Sequence, residues 1–304
     1  MKTPMRCLCL CIPLLLLLNV NSINGNCHAQ WPTCGTEENV VCKTKYGKPV
    51  PHCKIIRATP EFRETIVDSH NFYRNHVATG NETRGAFRPI ADMRTISYDS
   101  YLEFTAQCQA SRCNYDHDAD CYATKNFTDV GQNLNGRVIE EDTNFTFSSV
   151  EETRSMVSQW FELEIVESDD KVLRDFSRMK AVMIGYLYQM VWAETHRIGC
   201  GRSVKEDKYN MMICNYGPRG LRVTKPIGKF GRPCSRCPEK PEKLSCNEVY
   251  EGLCGEVDKS HYNLTISRAA QVVDNNMCSW LTKMCFATSF SLNIWFSDLT
   301  NWIS

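Results

Sequence analysis

The stretch Tyr188-Gln189-Met190-Val191-Trp192-Ala193, with Ile198-Gly199-Cys200-Gly201 and Ile213-Cys214-Asn215-Tyr216-Gly217-Pro218-Arg219-Gly220 after it, decides how the chain is read. Tyr188 to Trp192 is apolar. Ile198 to Val204 and Asn210 to Tyr216 then show strand patterning, joined by the polar turn Lys205-Glu206-Asp207-Lys208. Cys200 and Cys214 fall one on each strand, well placed for a cross-strand bridge. Beyond Pro218 the chain becomes rich in Pro, Gly and Lys, which marks a boundary.

Working back toward the N-terminus, three helices carry their own start signals. Thr59 can cap the first, Pro60 suits its first position and Glu61 its positive end; Phe62, Ile66, Asn71-Phe72 and Val77 recur at helical spacing up to Gly80. The second runs from about Asp99 to Cys113, with Leu102, Ala106, Gln109 and Cys113 on one face. The third starts after Ser148 or Ser149, has Glu151 and Glu152 in its first turn, and takes Met156, Val157, Trp160 and Leu163 as its apolar side. Helices and strands interleave without the regular alternation of a parallel sheet. The class is therefore α+β, or an α/β/α layered fold.

Composition sets the compartment. The chain has 304 residues, 35 basic against 35 acidic, and 18 cysteines. Balanced charge leaves no footprint for nucleic acid or an anionic membrane, and so many cysteines fit an oxidising space. Lys2 and Arg6 precede the apolar run Leu8 to Leu18, and small residues follow at Ser22 and Gly25. That pattern predicts a signal peptide over 1–25, too short for a transmembrane anchor. Its removal takes Cys7, Cys9 and Cys11 from the 18 and leaves 15, an odd number. Sequons at Asn81, Asn126, Asn144 and Asn263 fit a secreted glycoprotein.

Residues 26–58 hold Cys27, Cys34, Cys42 and Cys53 without apolar periodicity, and read as a disulfide-held arm. Residues 225–256 hold Cys234, Cys237, Cys246 and Cys254, a compact cysteine-rich hinge read as a knot of its own. One CxxC pair there suggests zinc, but the second pair lacks that spacing, so two disulfides are expected among the four. The tail, 257–304, carries Cys278 and Cys285, paired here as a bridge. Its Leu292, Trp295, Phe296, Leu299, Trp302 and Ile303 lie at helical spacing, for packing on the body or for contact with a partner or membrane.

The opening stretches closely resemble the two signature motifs of the CAP superfamily, which joins cysteine-rich secretory proteins, antigen 5 and plant pathogenesis-related class 1 proteins. His70-Asn71-Phe72-Tyr73-Arg74 resembles the family's first-helix HNxxR. Glu82-Thr83-Arg84-Gly85, Val130-Gly131-Gln132-Asn133 and the four-cysteine arm resemble the arthropod antigen 5 branch. The resemblance runs from about Cys27 to Arg222. It implies a secreted α/β/α three-layer sandwich over 59–224 and the bridges Cys27–Cys42, Cys34–Cys121, Cys53–Cys113 and Cys200–Cys214. The hinge cysteines are similar in placement to those after the CAP domain of cysteine-rich secretory proteins, but too few cysteines follow for the usual ion-channel-regulatory module.

Many members have a central cleft of two His and two acidic groups able to hold a divalent cation. Carried over by position, the His after the second helix is His117, the acidic residue of GENL is Gln132, the Glu after the third-helix Trp is Leu163, and the His of GHYTQ is Tyr186. A catalytic zinc needs three good protein ligands and an open position, so this cleft is expected to be degenerate, with no metal and no cofactor. Glu162 and Glu164 flank Leu163, but a one-residue slip turns a helical side chain by about 100°. His196 lies beyond Trp192 and cannot take the place of Tyr186 without a register change. His70 is expected to pack inside the first helix, and the run Asp116 to Asp120 to be a solvated loop.

There is no GxSxG, HExxH, P-loop or catalytic-cysteine context. The expectation is a secreted non-enzymatic protein that binds an extracellular protein partner. A small lipid or sterol carrier, with an apolar groove beside the first helix, is the alternative; a metal-dependent hydrolase is disfavoured. Cys108 is left over by the bridges. It is expected on the flank of the second helix, partly accessible and available for a disulfide dimer; the other readings are a quietly buried free cysteine and a bridge to Cys278 or Cys285.

Overall fold

The computed structural model describes residue 27 and residues 31–117, 121–139, 149–169, 173–174, 178–206 and 208–264, the side chains of 178–183 excepted. The expected signal peptide (1–25), the sequon at 144, residues 118–120 of the acidic run, the pair 278 and 285 and the apolar run 292–303 lie outside them. In chain order the elements are α1 (Val40–Lys43), β1 (Cys53–Ile56), α2 (Pro60–Ala78), β2 (Ser97–Tyr98), α3 (Ser100–Ala110), β3 (Gly131–Val138), α4 (Val150–Glu162), α5 (Arg178–Met190), β4 (Arg197–Lys205) and β5 (Tyr209–Gly217).

β4 and β5 pair antiparallel with Cys200 opposite Cys214, and a disulfide joins the two. β1 lies antiparallel on the outer side of β4, β3 antiparallel on the outer side of β5, and β2 adds two parallel residues to the start of β4. Period-two alternation sorts the faces. Ile198, Cys200, Met212, Cys214 and Tyr216 enter the main core, packed with Phe62 and Ile66 of α2, Val157 and Trp160 of α4, and Leu187 and Tyr188 of α5. Gly199 and Gly201 face the other way. A Cβ at Gly199 would strike the Glu103 backbone, and one at Gly201 the Gln107 backbone, so α3 rests directly on β4. Ala106 and Ala110 of α3 meet Leu134 and Ile213 on that face. The result is the three-layer α/β/α sandwich.

The helix starts follow the local chemistry. Thr59 Oγ1 accepts from Phe62 N at 3.1 Å, Asp99 Oδ1 from Leu102 N at 2.9 Å, and Ser149 Oγ from Glu152 N at 3.0 Å. Each such cap contributes about 1 kcal/mol.

The arm packs outside α3. Trp31 stacks toward Phe104 with centroids 5.4 Å apart, and Val40 and Val41 are buried. Buried Asn39 donates to Pro32 O and Ala123 O, both at 2.9 Å, and accepts from Val41 N at 3.1 Å. Disulfides join Cys27 to Cys42, Cys34 to Cys121 and Cys53 to Cys113. This covering corrects the expectation for Cys108. With the sheet on one side and the arm on the other, every residue of α3 from Leu102 to Ala110 is buried, and the free thiol of Cys108 has no exposed flank. A Cβ at Gly47 would lie 3.3 Å from its Sγ, and burial pushes its pKa up to about 12. Its use for a disulfide dimer therefore has no surface to start from.

The cysteine-rich hinge pairs Cys234 with Cys246 and Cys237 with Cys254. The pairing is internal, as expected, but the segment has no core separate from the body. Ile227, Leu253 and Tyr262 belong to the main core. Cys254 N donates to Met93 O at 2.7 Å and Thr95 N to Cys254 O at 3.0 Å. Arg63 Nη1 donates to Tyr262 O at 2.7 Å while its other nitrogens grip Glu103 at 2.7 and 2.9 Å, an ion pair almost fully buried.

Candidate functional site

The cleft opens between the α3–β3 loop, β3 and the second half of α5. The α5 backbone breaks at Ile184 (φ −139°, ψ 31°), so the turn carrying Tyr186 begins afresh at Gly185. Buried Trp160 anchors the neighbouring wall by donating from Nε1 to Leu134 O at 2.7 Å. Asn133 Nδ2 donates to Tyr186 O at 3.0 Å.

Three of the four carried-over positions meet here. His117 Nε2 and Tyr186 Oη share a hydrogen bond of 3.2 Å, and Gln132 Nε2 donates to Asn215 Oδ1 at 3.0 Å across β3 and β5. Leu163 does not join them. It is the residue after α4, where the helical register ends, and it is 73% exposed rather than on the apolar side. His117 stands at the exposed rim, and partial desolvation by the walls lowers its pKa. Burial holds the Tyr186 phenol protonated, well above its usual range.

The flanking carboxylates have other work. Glu162 Oε2 accepts from Arg84 Nη1 at 2.7 Å on the surface. Glu164 turns inward, and its Oε2 accepts from Leu187 N at 2.8 Å, capping the restarted turn of α5. Burial raises its pKa to about 7 against the opposing pull of the Leu187 and Tyr186 amides. Reading Glu164 only as a displaced ligand missed this capping role; the signal was a carboxylate just past a helix end, before Gly185 and its unpaired amides.

These donors do not fit a divalent cation. One imidazole, one protonated phenol and one primary amide meet, and the nearby carboxylate is spent on backbone N–H groups. Among the described residues, three metal-type side chains converge at Cys234, Cys237 and Cys254, whose sulfurs are already in disulfides. His70 is fully buried, with Nδ1 2.7 Å from Ile66 O and Nε2 2.9 Å from Tyr216 Oη, and burial lowers its pKa to about 4. His196 sits apart from the cleft, with Nδ1 3.1 Å from Glu194 O. The sequon residues Asn81, Asn126 and Asn263 are exposed.

A second hollow, of about 690 Å³, runs beside α2 between it and α4, lined by Phe72, Tyr73, Arg154, Ser158, Asp68 and Tyr250. No helix among the described residues is long and apolar enough to cross a membrane.

Comparison with known proteins gives one consistent picture. Residues 67–216 match the model of the cysteine-rich secretory protein family, CAP. The chain is 35% identical over 188 residues to venom allergen 5 of Vespula maculifrons, covering 58% of this chain and 78% of that one. It is 31% identical over 241 residues to venom allergen 5 of Tityus serrulatus, covering 74% of this chain and 54% of that one. It spans about half the length of that relative and of two others, from Trittame loki and Tityus serrulatus. Among solved structures it resembles NaASP2 with Zn2+, with a TM-score of 0.53 and 26% identity over 68% of this chain and all of that one.

Proposed function

Because this chain belongs to the cysteine-rich secretory protein (CAP) family, we propose that it is an extracellular, non-enzymatic protein that acts by binding a protein partner. One observation carries this reading. The cleft that would do metal chemistry presents His117, Gln132 and Tyr186 in place of a ligand set, with Leu163 turned out to solvent and Glu164 used as a helix cap. A site with a single imidazole ligand neither holds zinc tightly nor lowers the pKa of a bound water. What remains is a rigid, disulfide-braced surface. The venom names of the relatives favour release from the cell.

The test is metal analysis of the purified secreted chain after dialysis against zinc, with His117→Ala alongside. Less than about 0.1 zinc per chain is expected in both. One zinc per chain, lost with His117→Ala and accompanied by hydrolytic activity, overturns the reading.

The hollow beside α2 favours a second reading, a small-lipid or sterol carrier, since Phe72, Tyr73 and Tyr250 give it an apolar wall. Organic extraction of the secreted chain followed by mass spectrometry tests it. A stoichiometric lipid displaced by Tyr73→Arg supports it, and its absence rejects it.

A further inference from the structure

A separate cavity, of about 300 Å³, opens where the cysteine-rich segment folds over the start of β4. The body contributes Arg94, His196 and Arg197; the segment contributes Glu242, Lys243 and Glu256. These charges are unevenly partnered. Arg197 Nη1 donates to Asp258 Oδ2 at 2.8 Å, and Glu256 Oε2 accepts from Asn247 Nδ2 at 3.1 Å. Among the described residues no hydrogen bond or ion pair engages the Arg94 guanidinium, and its Nε is out of reach of solvent with no acceptor.

The backbone of Arg94 is held firmly. Its N–H donates to Ala193 O at 3.1 Å, and its carbonyl accepts from Arg74 at 2.7 and 2.9 Å. The side chain therefore cannot relieve its isolation by moving its backbone. Its surroundings disfavour the charge: burial and Arg197 lower its pKa, and Glu194 offsets only part. A partly buried cation whose only compensation is a distant carboxylate is costly, and an arriving anion removes that cost.

Charge balance selects the anion. With His196 neutral, as its pKa of about 4 requires, Arg94, Arg197 and Lys243 face Glu242, Glu256 and Asp258 at the cavity. A dianion would enter a cavity of no net charge against three carboxylates. A monoanion matches the Arg94 guanidinium, and a planar one matches its fork. We propose that this cavity is a carboxylate-binding site, in which Arg94 clamps the carboxylate of a small organic acid or of a peptide C-terminus between the body and the cysteine-rich segment.

The test titrates the intact secreted chain at constant ionic strength with propionate, with acetyl-Gly-Gly and with acetyl-Gly-Gly-amide, following the backbone amide resonances of Gly255 and Arg197, which line the cavity and persist in every variant. A saturable shift with either carboxylate and none with the amide is expected. Shifts with both acids mark a general carboxylate site, and a shift with the peptide alone marks a chain-end site. Arg94→Met should weaken binding about tenfold or more, the usual effect of losing charge-assisted hydrogen bonds. Glu242→Gln leaves Arg94 in place and removes a competing acid, so it should tighten binding by about threefold. Equal shifts with the amide, no shift with any probe, or undiminished affinity in a folded Arg94→Met protein overturns the proposal.

Discussion

The N-terminal arm and the C-terminal cysteine-rich segment look alike in sequence and are attached in opposite ways. Two of the arm's three bridges leave it, Cys34–Cys121 and Cys53–Cys113, and the first closes a separation of 87 residues. Both bridges of the C-terminal segment close on itself, over separations of 12 and 17. That segment is held to the body by buried Ile227, Leu253 and Tyr262 and by backbone hydrogen bonds to Met93 and Thr95. Cysteine density therefore says that a segment is braced, but not what it is braced against. The arm is fastened through its bonds, the other segment through its packing.

The largest effect should come from cutting the arm's long bridge. In the chain-entropy treatment, replacing Cys34 and Cys121 together by Ser costs about 3.5 kcal/mol, since Cys53–Cys113 already shortens the loop they close, against about 3 kcal/mol for Cys234 and Cys246. Denaturant titration of both double variants reads the difference, and equal losses would break the contrast. Next, Leu253→Ala should cost about 3 kcal/mol, as buried leucines do, and should expose the 225–262 segment to limited proteolysis while the arm stays protected. Wild-type stability or simultaneous cleavage of the arm would show that packing is not what holds that segment.

A comparable effect belongs to the body. His70 has a folded pKa of about 4 against an unfolded value near 6.5, so the unfolded chain takes up its proton first. Stability should fall as pH drops from about 6.5 toward 4, by about 3 kcal/mol in all, and His70→Gln should flatten that slope whatever its stability at neutral pH. Asn39→Ala should cost about 2 kcal/mol, since it strips hydrogen bonds from buried backbone groups of the arm and loop. The smallest effect is kinetic. Cys108, shielded by Gly47 of the arm and with a raised pKa, should resist alkylation in the native chain and react on unfolding. Rapid native labelling would mean that the arm lifts off α3.

Much of the fold was legible because local chemistry announces it. Thr59, Pro60 and Ser149 mark helix starts, and the alternation from Ile198 to Gly201 marks a strand with two different faces. Less was legible where tertiary contact decides. β1 reads as part of the arm, and β3 reads as no element because it carries Asn133 and Asn135, whose polar side chains are satisfied only by partners far along the chain. α5 was hidden because its second half restarts under a cap supplied by Glu164, twenty-three residues before Leu187. At the cleft, residue types were readable but direction was not. The end of α4 turned Leu163 outward, and a covering arm reversed the expected exposure of Cys108.

Arg74 of α2 holds together much more than the Arg94 backbone. Its guanidinium is fully buried and donates to the carbonyls of Arg94, Met190, Trp192, Ala193 and Thr195. No carboxylate is among these acceptors, and burial lowers its pKa to about 9, which still leaves it charged at neutral pH. The arrangement has the logic of an ionophore, a cation wrapped in neutral oxygen dipoles, except that the cation is covalently part of the cage. A lysine in its place would offer one point where five oxygens expect a plane. The loop from α5 to β4 thus takes its shape by solvating a charge, and the Arg94 cavity inherits part of its wall from that one coordination shell.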